Sequence, residues 1–161
     1  MELQHNRIRT LSLDVFVNCT RQPAFPLILN VSHNNIRRLT PPSNFANRPP
    51  FVQTLDVSHN SLTSVPSKFL DFLAPALRTL NLASNRITEI EAQSFSLLGV
   101  LQSLNLANNN IMDMEKTSLK HMTRDENFTL NILARMLLLF SLKESNIYQL
   151  PVDPIFEALF T

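Results

Sequence analysis

The octapeptide Leu55–Leu62, LDVSHNSL, has a close copy at Leu29–Ile36, LNVSHNNI, and looser ones at Leu80–Ile87, LNLASNRI, and Leu104–Ile111, LNLANNNI. The copies stand 24 to 26 residues apart. Periodicity on that scale means one supersecondary unit written several times, and it limits the fold more tightly than any other feature of the chain. The template is L-x-x-L-x-L-x-x-N-x-L-x-x-L, with apolar residues at positions 1, 4, 6, 11 and 14 and asparagine at 9.

Positions 4 to 7 alternate apolar and polar, which predicts a short strand with one buried face. Leu55 and Val57 point inward on this reading, and Asp56 and Ser58 outward. One such strand cannot bury its apolar face alone. Copies stacked about 4.8 Å apart make a parallel sheet and a continuous core.

The asparagine follows from the turn after the strand, which leaves inward backbone groups without ladder partners. A carboxamide offers two donors and an acceptor, so Asn34, Asn60, Asn85 and Asn109 are expected to form a buried ladder. Each is expected to bond within its own turn and to the next coil. The aromatic position 19 (Phe16, Phe45, Phe95, Phe156) is expected to fill the wider convex side, with Leu70 and Leu119 as thinner substitutes. Pro66–Leu73, PSKFLDFL, has room for one or two helical turns. The proline-rich run 41–50 disfavours helix.

Two damaged copies flank the four clear ones, one supplying Leu3, Asn6, Ile8 and Leu11, the other Leu137, Phe140, Leu142, Ile147 and Leu150. The total is about six repeats in one domain, residues 1–161. Residues 123–136 break the period and are read as an irregular insertion, with a degenerate repeat or foreign sequence as alternatives. Repeat arrays need polar capping units, and none is evident at either end. The chain is therefore expected to be a piece of a longer array.

The phrase and its spacing resemble the leucine-rich repeat family, in the 24-residue form with a position-19 phenylalanine, as in chaoptin- and Toll-like extracellular proteins. The resemblance implies an α/β-type solenoid. Its short parallel sheet would line the concave face, with irregular or short helical convex segments.

Composition narrows the chemistry. The formal net charge is +1, with no marked basic run, so nucleic-acid binding is not expected. Gly99 is the sole glycine, which excludes glycine-rich phosphate loops. Cys19 is the sole cysteine, which excludes an intrachain disulfide and a thiolate metal site. No apolar run is long enough to span a bilayer, and no leader segment is evident at the start. No catalytic constellation is found, so no enzyme activity and no cofactor are expected. Ser32–His33 and Ser58–His59 are sequence neighbours whose side chains diverge on a strand.

His5, His33 and His59 all occupy position 8. A metal site there is disfavoured, because no carboxylate supplies a supporting shell. The preferred reading is an ordinary phrase of the repeat, as the resemblance implies; a column of histidines that resists joint protonation near about pH 6 is the alternative ahead of a metal. Asn18, Asn30 and Asn127 match the N-glycosylation pattern, but three matches are what this composition yields by chance.

Surface remains. Positions 2, 3, 5, 7 and 8 form the concave face, with Gln53, Asp56, His59, Arg78, Asn81, Gln102 and Asn105 as candidate binding residues. The expected role is protein–protein recognition or adhesion, at the cell surface or outside the cell. The alternatives are an intracellular scaffold and a truncated product without independent function.

Overall fold

A computed structural model of the chain describes residues 1–16, 27–44, 51–115, 118 and 129–131. Along the chain the strands are β1 (Thr10–Ser12), β2 (Leu27–Asn30), β3 (Arg38–Thr40), β4 (Val52–Asp56), β5 (Thr79–Asn81), β6 (Glu89–Ile90), β7 (Ser103–Asn105), β8 (Asp113–Met114) and β9 (Thr129–Asn131). One α-helix, α1, spans Ser67–Leu73, and a 3-10 turn covers Leu13–Phe16.

The main sheet is parallel, in the order β2-β4-β5-β7-β9. Its register carries Leu29 onto Leu55, Leu55 onto Leu80, Leu80 onto Leu104 and Leu104 onto Leu130. A bridge from Glu2 to Asn30 adds the start of the chain beside β2. The repeated phrase therefore builds successive rungs of a solenoid. Leu29, Leu55, Leu80 and Leu104 are 0% exposed. Burial of each such side chain contributes about 2 kcal/mol. Position 6 repeats the pattern one step along with Val31, Val57, Leu82 and Leu106, all buried. Between β2 and β4 the register shifts at Gln53, the extra residue of a bulge.

The convex side is closed by different means in different coils. α1 turns Phe69, Leu70 and Leu73 into the core, the i, i+1, i+4 stripe of a short amphipathic helix. Pro66 precedes it, and the Pro66 carbonyl accepts from the N–H groups of Phe69 and Leu70. Phe16 and Phe95 are buried at position 19, and Leu70 takes the same place. Phe45, Phe156 and Leu119 lie outside the described residues.

Two features differ from the sequence reading. Position 14 is not only an apolar anchor, because β1 pairs β3 and β6 pairs β8 in small parallel ladders along a second side. With two or three residues each, these strands are too short to show a period-2 signal. The second feature is the segment 123–136, for which the sequence leaves an insertion, a degenerate repeat and foreign sequence open. Its described part, Thr129–Asn131, is the rung β9, with Leu130 aligned on Leu104 and buried.

Candidate binding face

Each turn of the solenoid closes around the asparagine at position 9. Asn60 Nδ2 donates to the carbonyls of Val57 (3.0 Å) and Ser58 (3.0 Å) in its own turn and of Val31 (3.1 Å) in the preceding coil. Its Oδ1 accepts the N–H of Ile36 at 2.8 Å. Asn34, Asn85 and Asn109 repeat the set, with their Oδ1 atoms accepting from Ile8, Leu62 and Ile87. The ladder thus runs to the preceding coil, where the sequence reading had placed it toward the next one. Adjacent rungs carry the same phrase, so the sequence does not distinguish the two directions.

A second ladder sits on the sheet surface at position 5. The side-chain Oδ1 atoms of Asn30, Asp56, Asn81 and Asn105 accept the N–H groups of Ser32, Ser58, Ala83 and Ala107, at 2.9 to 3.1 Å. These Asx turns start the chain into its bend. Neighbouring rungs are also linked, since Asn30 Nδ2 donates to Glu2 Oε2 and Asn81 Nδ2 to Asp56 Oδ2. Asp56, Asn81 and Asn105 are therefore half-buried and partly committed to their own fold. An Asn or Asp two residues before each bend was the available signal for this role. A glycan on Asn30 would displace its bond to Glu2 and stand on the sheet. Asn18 and Asn127 lie outside the described residues.

Position 7 departs from the sequence reading. Ser32, Ser58 and Ala83 are buried, not presented, because the bend folds over them. The surface that remains consists of Gln53, half-buried, with Arg78, Gln102 and His59 exposed. They come from three successive coils, Gln53 and His59 from the same one. Exposed Ile28 adds an apolar spot.

Position 8 borders this face, just beyond the strand ends. His5, His33, His59, Ser84 and Asn108 all adopt left-handed backbone there, with φ between 52° and 57°. Without glycine, this conformation falls to residue types that tolerate it to differing degrees, His and Asn better than Ser. The N–H groups of His5, His33, His59 and Ser84 donate to carbonyls of the following coil, which sets their spacing. The imidazoles stack face to face. His5 and His33 have ring centroids 4.5 Å apart and planes 14° apart, and His33 and His59 are at 4.1 Å and 9°. His33, in the middle, is held below the ordinary histidine pKa, first by desolvation, then by the charges of His59 and His5, with Asp56 opposing. Nearly parallel rings aim their in-plane lone pairs side by side, so the stack does not converge on one ion. Among the described residues no group of three His, Cys, Asp or Glu is placed to hold a metal.

A family model described as leucine rich repeat matches residues 50–111 and 75–131, together half of the chain. The chain belongs to the leucine-rich repeat family. No curated protein matches it. Leucine-rich repeats form protein–protein interaction modules and are typically non-enzymatic scaffolds. In this leucine-rich repeat solenoid no described helix is long and apolar enough to cross a membrane.

Proposed function

We propose that this leucine-rich repeat solenoid holds a protein ligand against its concave sheet, as part of an extracellular or cell-surface adhesion or receptor protein of the 24-residue repeat type. One observation carries the reading. The in-register ladder places Gln53, Arg78 and Gln102 from three consecutive rungs on one continuous polar surface. Such a surface is built by stacking alone. Arg is a residue type that concentrates binding energy at interfaces, which makes Arg78 the expected anchor. The buried Phe16 and Phe95 on the convex side support the 24-residue type.

The test is a screen of extracellular protein domains with the multimerised chain, repeated with two double variants. Arg78→Glu/Gln102→Arg alters the concave sheet, and Glu91→Lys/Leu97→Gln alters exposed residues outside it. Ligands lost with the first and kept with the second support the reading. Ligands lost only with the second contradict it.

A further inference from the structure

The stacked histidines have no part in holding the core. Their rings are exposed, and the bonds that space them come from the backbone. Protonation would place positive charges 4.1 to 4.5 Å apart on a backbone that cannot separate them. The fixed charges around the column do little to absorb that gain. Among the described residues of the sheet face these are Glu2, Asp56 and Arg78. Both carboxylates are already engaged, Glu2 by Asn30 and Asp56 by Ser58 and Asn81. Past the turn, the same coils expose Arg7, Arg9, Arg37 and Arg38, with Arg37 N–H bonded to the Arg9 carbonyl of the coil beside it. In these coils Asp14 is a described acidic residue, and Ser43 occupies it; later coils carry exposed Glu89 and Asp113 on that side.

We propose that the His5–His33–His59 column is an acid-gated docking strip for a carboxylate-rich segment of a protein ligand. The strip is weak while the rings are neutral and strengthens as they take up protons. It rests on the concave face being a protein-binding surface and adds the chemistry and the control of one edge of it. Carboxylates fit better than nucleobases, because the ring faces are spent on one another. The column offers three N–H edges, which carboxylates accept, and for stacking, which bases need, only the outer faces of His5 and His59.

The test uses the full chain and a fluorescein-labelled aspartate hexapeptide, read by anisotropy at about pH 5.5 and about pH 7.5 in roughly 0.05 M salt. The expected result is a Kd at least about tenfold lower at the acidic pH, as charge-assisted contacts form. That gain disappears in His5→Asn/His33→Asn/His59→Asn. Asn108 holds the same turn position at φ 55°, so asparagine is compatible with the backbone. Circular dichroism of the triple variant checks its fold. As a second measurement in the wild-type chain, the His33 ring signal titrates at lower pH than it does in His5→Asn/His59→Asn. Equal affinity at the two pH values, or an acidic gain that survives in the triple variant, overturns the proposal. So does an oligothymidylate showing the same histidine-dependent gain, which would assign the strip to nucleic acid. Arg78→Glu/Gln102→Arg separates the two readings: if it abolishes binding of screened ligands while the hexapeptide shows no histidine-dependent gain, recognition stands and the strip falls.

Discussion

Asn60 and Ile36 belong to consecutive coils, yet Asn60 Oδ1 accepts the Ile36 N–H at 2.8 Å in a buried setting. One amide side chain thereby joins two rungs while closing its own turn. Asn60→Leu removes the partner of that N–H and one of two donors to each of three carbonyls, which keep Asn34 Nδ2, Asn85 Nδ2 and the His33 N–H. The stranded N–H costs about 1–3 kcal/mol and the weakened carbonyls add to it, so a loss of about 3 kcal/mol is expected. Denaturant unfolding measures it. Asn34→Leu, at a half-buried position, costs less in the same experiment.

Position 8 supplies a test of backbone geometry. Ser84 stands at φ 54°. A β-branched residue fits the left-handed region poorly, so Ser84→Val lowers stability by about 1–2 kcal/mol. Ser84→Asn leaves it near the parent value. Thermal melts of the two variants side by side distinguish this from loss of the serine hydroxyl, which both lack.

The histidine column has a consequence for stability that does not depend on any ligand. The His33 pKa is lowered on folding, from an ordinary 6.5, chiefly by desolvation and then by its histidine neighbours. The folded state then binds fewer protons than the unfolded one between the two values. Its stabilising contribution is complete above 6.5 and is lost as pH falls through the lowered value. Melting temperature should therefore drop with acidification through this window, and the drop should be smaller in His33→Asn.

How far the sequence alone reaches can be judged on these residues. The spacing of Leu55, Leu80 and Leu104 makes the rungs legible, because the phrase is repeated nearly whole. Leu130 was hidden by weak neighbours. Six apolar or asparagine positions mark a clear copy, and around Leu130 two of them, the places for leucine and asparagine, hold Asn127 and Arg135. The coincidence of His5, His33 and His59 at one template position is visible in the sequence. Their face-to-face packing is not, because it depends on the exposed rings and the left-handed turn. The surface role assigned to Asp56, Asn81 and Asn105 overlooked a local competition, since Asn and Asp side chains readily bond backbone two residues ahead.

Asp14 links two coils on the second side. Its carboxylate accepts from the Ser43 N–H at 2.8 Å and the Ser43 hydroxyl at 2.9 Å. These bonds, the backbone one first, hold its pKa below the ordinary 3.8 despite some desolvation. The contribution is present above 3.8 and is lost as pH falls through the lowered value. Asp14→Asn should therefore flatten the acid limb of the stability curve, with the difference from the parent chain vanishing at the lowest pH.

The central claim is that consecutive coils stack as parallel rungs in one register, and a cross-link reads it directly. Thr79 lies opposite Ser103 on β5 and β7. Adjacent strands are about 4.8 Å apart, within the Cα range of about 4.4–6.8 Å that a disulfide accepts. In a Cys19→Ala background, Thr79→Cys/Ser103→Cys should oxidise to an intramolecular disulfide. Thr54→Cys/Ser103→Cys, which skips a rung, should stay reduced under the same conditions. Equal oxidation of both pairs, or oxidation of the skipped pair alone, would contradict the stacked register.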